Sequence, residues 1–414
     1  MTATISGSQA ALKVLYPKGE LPKSIQDMFV LHKRLKKEKD FVGELAYVPL
    51  QNANAQGSSG GFANAQANVY QGNYVRFALQ RVEHFGVARI NGQAAEAAVK
   101  SEGALVDLWD NETRGIATTE MCCLATYLYG TGDGVLGRMA SGHTTTTVTM
   151  AATVNMNYFE LNMTISAVDA TGLASTIRSG GAAKARITGI DRLNRTLTFS
   201  AALDTLITDV AATDYLVRNG DSHTSGTATV ITGLPSLVAG GATPGMLWGL
   251  NRNPDPVRLA GQSKDYTGWA HEDAVVDASA LVGFQGIGYP DVLVANNIDV
   301  ANMKRSLSGK LQYNRPGGSS EAKYGFSSVS IEGENGPIEV LSDPFCPRNT
   351  AYLLKLDAFS LFSLGSAPHK QNYDGMEFLR RPDADAFEVR FVFYGNLKLK
   401  NPGVQIQLKN WGVA

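Results

Sequence analysis

Residues that could do chemistry are few and widely separated in this sequence. Its six histidines are all remote from any motif that pairs a base with a serine or cysteine nucleophile; they are His32, His84, His143, His223, His271 and His369. Cys346 lies between Pro344 and Pro347, a context more typical of a packed turn than of a reactive thiol. The sequence therefore predicts no catalytic residue, and we do not expect an enzyme.

One string has the glycine spacing of a dinucleotide-binding loop, from Gly132 to Gly137. That motif needs a strand before it and a helix after it, whereas here a predicted helix precedes the string and threonine-rich extended sequence follows. We interpret the glycines as a helix stop and a turn. The adjacent Cys122 and Cys123 would not form a zinc site, so neither a cofactor nor a metal is expected.

Composition narrows the class of protein. Charged residues make up 18% of the chain, below the roughly 25% of a typical soluble domain, which indicates a surface that is largely covered by neighbouring subunits. A formal net charge of −1 argues against dedicated high-affinity nucleic-acid binding and leaves only local contacts. A signal-peptide pattern and an apolar run of 18 residues are both missing from the sequence, so a soluble, unsecreted chain without a membrane partner is expected.

The last segment has a strand pattern. Apolar residues fall on alternate positions from Phe387 to Leu399, Pro402-Gly403 is a turn signal, and alternation resumes at Val404. This pattern predicts a hairpin with one buried face. Three lysines would then lie on the solvated side or near an edge: Lys398, Lys400 and Lys409.

An earlier segment predicts a second, longer hairpin. Strand-like sequence from Phe41 to Leu50 and from Tyr70 to Ile90 flanks a neutral polar stretch, Gln51 to Asn68. Such a hairpin cannot be stabilised by its own core and gains stability by lying on another surface. A disordered linker is the alternative, and it fits the tip but not the alternation at Val75, Phe77 and Leu79.

The rest of the chain indicates a mixture of helices and strands. Helical spacing from Gln93 to Gly130 predicts a helix of about 57 Å with possible bends at Gly103 and Gly115. Several short strands between residues 143 and 222, including a hairpin around residues 191–195, predict a small barrel or sandwich. Beyond Gly240 we expect a helix over His271 to Phe284, a buried strand over Val292 to Ala295, a helix capped by Asn297 that ends near Gly309, and alternating strands near residues 326–341.

The order of residues near the C-terminus carries a resemblance. The relevant strings are Asp343-Pro344-Phe345-Cys346-Pro347-Arg348-Asn349-Thr350-Ala351-Tyr352, Ser363-Leu364-Gly365, Asp385-Ala386-Phe387-Glu388-Val389-Arg390 and Tyr394-Gly395-Asn396-Leu397. They closely resemble the C-terminal region of major capsid proteins of tailed bacteriophages with the Hong Kong 97-type fold. The resemblance covers about residues 41–135 and 235–400, and the β module stands outside it.

The resemblance implies an α+β fold with a long spine helix, a peripheral-domain sheet, an axial domain, an extended β-hairpin loop and an N-terminal arm. The implied organisation is an N-terminal arm over 1–40, an extension loop over 41–92, the spine helix of the peripheral domain over 93–142, an inserted small all-β domain over 143–222, the axial domain with part of the peripheral domain over 223–378, and C-terminal peripheral-domain strands over 379–414.

The resemblance also implies which residues contact partners. The extension loop would contact a neighbouring subunit through Gln51, Asn52, Asn54, Phe62, Asn64, Tyr70 and Tyr74. The loop over 311–322 would face a symmetry axis with Tyr313, Asn314 and Arg315. The arm could touch DNA with Lys33, Arg34, Lys36 and Lys37, although a solvated helix face balanced by Glu38 and Asp40 accounts for the same charges. Some relatives form cross-links through a lysine on the extension loop. In this chain no lysine occurs between Lys39 and Lys100, so that chemistry is not expected here.

The function implied is that of a major capsid protein, which self-assembles into pentamers and hexamers of an icosahedral head around double-stranded DNA. The implied partners are further copies of the chain, portal and scaffolding proteins, a cement protein and the packaged DNA, in a virion assembled in the host cytoplasm. Two alternatives remain open. One is an encapsulin-type bacterial nanocompartment shell, and the other is a β-rich adhesin or carbohydrate-binding protein.

Overall fold

The structure is a computed structural model, and it describes residues 28–92, 108–223, 226–307, 330–372, 375–376 and 378–413. The chain forms two units. Described parts of the smaller unit lie within 85–120 and 368–392, and those of the larger unit lie within 28–84, 121–367 and 393–413.

The helices are α1 Val30–Arg34, α2 Phe62–Ala67, α3 Leu108–Tyr127, α4 Leu203–Leu206, α5 Leu234–Leu237, α6 Pro256–Ala260, α7 His271–Phe284 and α8 Asn297–Leu307. The strands are β1 Lys36–Glu38, β2 Leu45–Ala53, β3 Asn73–Gln80, β4 Val82–Asn91, β5 Val135–Ser141, β6 Thr147–Met150, β7 Thr164–Val168, β8 Ala185–Asp191, β9 Thr196–Phe199, β10 Tyr215–Arg218, β11 Met246–Leu247, β12 Leu250–Asn251, β13 Gln262–Asp265, β14 Val292–Ala295, β15 Ser330–Gly333, β16 Gly336–Ser342, β17 Thr350–Leu354, β18 Phe359–Ser363, β19 His369–Lys370, β20 Leu379–Arg380, β21 Ala386–Leu399 and β22 Ile406–Lys409.

A mixed sheet with the order β13-β22-β17-β14-β16-β15 forms one centre of the larger unit. All four residues of β14 are buried because the strand is paired on both sides, parallel to β16 and antiparallel to β17. Helix α7 covers this sheet with Ala274, Ala278 and Val282, which recur at the four-residue spacing of one helix face. The predicted strand over Val292–Ala295 and the helix over His271–Phe284 are confirmed.

A closed β-barrel, with the order β10-β5-β6-β9-β8-β7, follows α3 along the chain and lies in the larger unit. Its interior is filled by β-branched and long apolar side chains such as Met139, Ile165 and Leu216. The barrel core is continuous with the core around Tyr129 and Tyr352. The predicted β module is therefore a barrel, but it begins at β5, before residue 143, because the glycines near Gly134 turn the chain directly into its first strand.

The glycine string after α3 has the role of a turn, as predicted. It follows a helix and leads into β5. Gly132 and Gly134 both have positive φ, +88° and +75°, a conformation that glycine adopts without steric cost. A Cβ at position 134 would meet the carbonyl oxygen of Asp221, so packing also requires glycine there.

The predicted C-terminal hairpin is wrong. Strands β21 and β22 lie in different sheets, since β22 inserts between β13 and β17. The Pro402–Val404 segment forms a buried 3-10 turn in which a Cβ on Gly403 would contact Ile287. Lys400 and Lys409 are exposed, but the Lys398 side chain is only 17% exposed.

Three smaller expectations also need correction. The segment from Tyr70 to Ile90 is two strands, β3 and β4, which belong to different sheets. The cap of α8 is Asn296, whose Oδ1 accepts a hydrogen bond from Ile298 N at 3.0 Å, so Asn297 is inside the helix. Part of the predicted arm lies on its own chain, because β1 pairs with β18 in parallel.

Strand β21 is the centre of a further sheet, and its two parts belong to different units. In the larger unit, β18 pairs with the last residues of β21, from Gly395 to Leu399. In the smaller unit, β19 and β20 pair with the first part of β21. There the buried Glu388 carboxylate accepts hydrogen bonds from Arg89 Nε at 3.0 Å and Arg390 Nε at 2.6 Å. The Arg390 hydrogen bond, together with that of Arg89, lowers the pKa of Glu388 despite its partial burial.

Candidate assembly surfaces

The strongest sequence motif, which begins at Asp343, forms a buried polar junction in the larger unit. The Asp343 carboxylate accepts hydrogen bonds from Leu31 N and Tyr129 Oη, both at 2.9 Å, and its Oδ1 accepts one from Phe345 N at 2.9 Å. Burial raises its pKa in spite of these donors. One side chain therefore joins helix α1, the segment just after α3 and the motif itself.

The carbonyl groups of the same motif bind other elements. Asn155 Nδ2 donates to Pro344 O at 2.7 Å, and Tyr158 Oη donates to Phe345 O at 2.7 Å, both from the barrel. Asn296 Nδ2 donates to Cys346 O at 2.7 Å. Burial raises the pKa of the Cys346 thiol, which agrees with a packed cysteine. Each buried carbonyl thus has a partner, and the segment fixes the barrel to α8.

The end of the motif anchors α8 and the C-terminus. Asp299 accepts hydrogen bonds from Arg348 Nε at 2.9 Å and Asn349 N at 2.8 Å. Asn349 adopts positive φ, and its carbonyl accepts from Trp411 N at 2.9 Å. The fully buried Trp411 ring in turn donates from Nε1 to His271 O at 3.0 Å. The motif is therefore a structural junction, and its polar residues are committed to packing.

The β2–β3 hairpin is the first candidate surface. Its root packs on the larger unit through a small core that contains Phe41, Val48, Phe77 and Leu79, with Trp248 against it. Ala78 N donates to Trp248 O at 3.1 Å, and Arg258 Nη1 donates to Asn52 O at 2.9 Å. The hairpin thus has more support from its own chain than its neutral sequence predicts, and this support ends near Ala53.

Beyond the root, the hairpin is exposed. Phe62 is 80% exposed, Tyr70 is 77% exposed and Tyr74 is 72% exposed. Helix α2, which has no buried residue, forms the tip where the sequence predicts only a polar stretch. Gln51, Asn54 and Asn64 are also exposed, whereas Asn52 is partly buried. Six of the seven predicted contact residues therefore present their side chains outward.

The predicted basic surface lies on α1 and β1. Lys33, Arg34, Lys36 and Lys37 are all exposed, and Arg34 forms an ion pair with Glu339. Glu38 contacts Lys398 Nζ at 2.9 Å, and Lys400 Nζ and Lys36 Nζ each at 3.5 Å. Partial burial would raise the pKa of Glu38, but the hydrogen bond and charge of Lys398, with the two other lysines, lower it. One carboxylate therefore faces three ammonium groups.

Sequence reasoning missed the burial of His32, which is 1% exposed and has no hydrogen-bond partner on either ring nitrogen. Burial, reinforced by the charges of Lys37 and Lys33, lowers its pKa to about 4. The lysine-rich context of His32 suggests an exposed position, so no signal in the sequence would identify it. The predicted axis-facing residues, Tyr313, Asn314 and Arg315, lie outside the described residues, as do residues 93–107 of the predicted long helix.

The described residues contain no group of three or more histidine, cysteine or acidic side chains arranged to hold a metal ion. Among the helices of that part of the chain, none combines the length and the apolar character needed to cross a bilayer.

Comparison with known proteins gives a clear result only for structure. The sequence matches no family model and no curated protein. A chain of the cyanophage A-1(L) capsid asymmetric unit superposes with a TM-score of 0.58 at 12% identity, over 97% of this chain and 98% of that one.

Two further structures were found. A chain from Mycobacterium phage Ogopogo has a TM-score of 0.48 at 11% identity, over 99% of both chains. A chain from the capsid of a native GTA particle has a TM-score of 0.49 at 9% identity, again over 99% of both chains. Of these three structures, the cyanophage capsid chain has a TM-score above 0.5, and this match establishes that the chain shares its fold with a protein of a phage capsid.

Proposed function

We propose that this chain is the major capsid protein of a tailed bacteriophage, which self-assembles into pentamers and hexamers of an icosahedral head around double-stranded DNA. The observation that carries the proposal is the fold shared with the cyanophage capsid chain over nearly the whole of both proteins. The role is structural and non-catalytic, in keeping with a motif from Asp343 to Asn349 whose polar groups serve as packing contacts.

In this proposal the fold is of the Hong Kong 97 type. Helix α3 is the described part of the spine helix, and the β2–β3 hairpin is the extension loop. The sheet that contains β14, with α7 and α8, belongs to the axial domain. Strands β18 and β21 belong to the peripheral domain, and the closed barrel is the inserted all-β domain.

The β2–β3 hairpin has a buried root and an exposed tip, and this arrangement supports the proposed assembly. Its root is fixed by buried apolar contacts, while its tip presents Phe62, Tyr70 and Tyr74 to solvent. Exposed aromatic side chains on a supported arm are suited to binding another surface, since aromatic anchors dominate many interfaces. Single contacts of ~4 to 8 kcal/mol suffice in a shell, because each subunit engages several neighbours at once.

The proposed partners follow from the shell. Portal, scaffolding and cement proteins would act with further copies of the chain, which would reside in the virion after assembly in the host cytoplasm. Lys33, Lys36 and Lys37 are exposed and could make weak, non-specific contacts with the phosphates of packaged DNA.

The hairpin tip provides the test. Gln56 and Tyr70 form an antiparallel bridge with N–O distances of 2.8 and 3.1 Å, so a two-residue Gly-Gly loop can replace residues 57–69 and close the hairpin. We expect the variant to keep the unfolding free energy of the wild type, because the root core is intact, and to lose closed shells in negative-stain images. Leu193→Ser, at a 94% exposed barrel turn, is the control for general loss of apolar surface.

Shells of normal yield and heat resistance from the Gly-Gly variant would contradict the role of the hairpin. The nucleic-acid content of particles from infected cells separates a phage head, which would contain double-stranded DNA, from an encapsulin-type compartment. A wild-type chain that stays monomeric would favour an adhesin or carbohydrate-binding protein.

A further inference from the structure

A cleft of about 410 Å³ lies where the root of the hairpin meets the body of the larger unit. One wall is formed by the β2 end, from Leu50 to Asn54. The opposite wall is formed by Arg258, the turn at Gly286-Ile287 and Lys400-Asn401. The cleft is therefore bounded on one side by the proposed extension loop and on the other side by the body of the larger unit.

The charged residues that line this cleft are both basic. Arg258 and Lys400 line it, and none of the lining residues is acidic. The nearest carboxylates only partly offset the two cations, because Arg258 Nε is 3.6 Å from Asp255 and Lys400 Nζ is 3.5 Å from Glu38. Both basic side chains are about half exposed, 52% and 50%. The cleft can therefore attract and hold an anion.

Two other features restrict the kind of anion. Asn52 lines the cleft and its Oδ1 atom has no hydrogen-bond partner, so a ligand that supplies a donor as well as a negative charge would satisfy it. Phe284, two residues before the cleft turn at Gly286, is 85% exposed and offers an apolar contact beside it. A peptide segment has all three properties, since it carries backbone N–H groups, acidic side chains and apolar atoms, whereas a phosphate diester carries no donor.

We propose that this cleft receives an acidic side chain, on an exposed peptide segment, from a second copy of this chain. The proposal rests on the proposed function, and it adds a defined contact for the base of the hairpin. The chain itself offers suitable segments, because Glu332 and Glu334 lie two residues apart at the turn between β15 and β16. Both are exposed, and neither forms an ion pair within the residues that the structure describes. Occupation of the cleft would fix the orientation of the hairpin in the assembled state.

Zero-length carbodiimide cross-linking tests the contact directly, because it joins Lys400 only to a carboxylate in contact with it. Particles are assembled from a mixture of ¹⁵N-labelled and unlabelled full-length chains, cross-linked and analysed by mass spectrometry. We expect Lys400 peptides joined to acidic peptides of the other isotope. The linkage between Lys400 and Glu38 of one chain, 3.5 Å apart, is the internal control for reactivity.

A charge-neutral variant tests the energetic role. Arg258→Gln combined with Lys400→Gln should raise the subunit concentration needed for half-assembly by about five- to tenfold, as expected for loss of a partly exposed charge pair or two. Lys409→Gln, an exposed lysine at the end of β22, is the matched control and should assemble like wild type. Circular dichroism of the unassembled variant checks that it is folded.

The possible results separate cleanly. Cross-links from Lys400 that stay within single chains in fully assembled particles would overturn the inference and leave the proposed function intact. A double variant that assembles like wild type but retains less DNA would also overturn it, since the anion would then be phosphate. Failure of the wild-type chain to assemble would instead contradict the proposed function.

Discussion

His32 is a buried histidine whose imidazole makes no hydrogen bond through either ring nitrogen. Its pKa of about 4 lies below the usual 6.5, because burial and the nearby charges of Lys37 and Lys33 disfavour the protonated ring. A lowered folded-state pKa means that the unfolded chain binds the proton first as pH falls. The part of the unfolding free energy that depends on a neutral His32 ring is therefore fully present above pH 6.5 and is lost as pH falls towards 4.

We predict that His32→Leu abolishes this acid sensitivity. Between pH 7 and pH 4 the wild-type subunit should lose about 3 kcal/mol more unfolding free energy than the variant, the equivalent of the shift in pKa. Urea unfolding of unassembled subunits at several pH values measures the difference. Asp343 also has a raised pKa, but it is present in both proteins and therefore does not contribute to the difference between their pH profiles. Parallel pH profiles of the two proteins would show that the ring is not buried as described.

At the scale of elements, the Asp343 junction is the contact on which several pieces depend. Its carboxylate holds Leu31 in α1 and Tyr129 just after α3. We predict that Asp343→Ala lowers the unfolding free energy by about 2 to 4 kcal/mol at pH 7, because buried donors lose their acceptor. Trypsin should then cleave after Lys33 or Arg34 faster than in the wild type.

The control for this prediction is Asp357→Ala, at an exposed position, which should change stability by less than about 0.5 kcal/mol. If the Asp343→Ala variant were as stable and as resistant to trypsin as this control, the junction would not hold α1 in place.

The elements also show what sequence patterns can and cannot predict. Helix α7, strand β14 and the turn between β8 and β9 follow from local signals, and Asp191 accepts hydrogen bonds from Leu193 N and Asn194 N in that turn, as a tight turn requires. The alternation in β21 and β22 is equally local, but the choice of partner strand is not. β22 pairs with β13 and β17, which are about 145 and 55 residues away along the chain, and a turn signal at Pro402 says nothing about such partners.

The candidate assembly surfaces show the same difference between features that follow from local sequence and contacts between distant residues. The neutral, aromatic hairpin and its exposed tip could be predicted, because exposure follows from the lack of a core within the hairpin itself. Its docking on Trp248 and Arg258 could not, since those residues lie far along the chain without any shared pattern. The cleft at the hairpin root depends on this docking and was for that reason equally hidden in the sequence.

For the whole molecule, the exposed hairpin tip and the shared fold both agree with the proposed association of identical chains. The low content of charged residues, 18%, agrees with a surface that is extensively covered in the assembled state. Closed shells require the same subunit to occupy rings of five and of six, so the rigid junction around Asp343 and the projecting hairpin would have different tasks. In the proposed shell, the junction would keep the subunit constant while the hairpin adapts.

Assembly of this chain into a shell is tested by negative-stain electron microscopy of the purified full-length chain over a range of concentrations and salt conditions, with scaffolding protein added where the chain alone does not assemble. We expect closed particles of uniform size with icosahedral symmetry. A chain that remains a folded monomer under all of these conditions would show that it is not a shell protein.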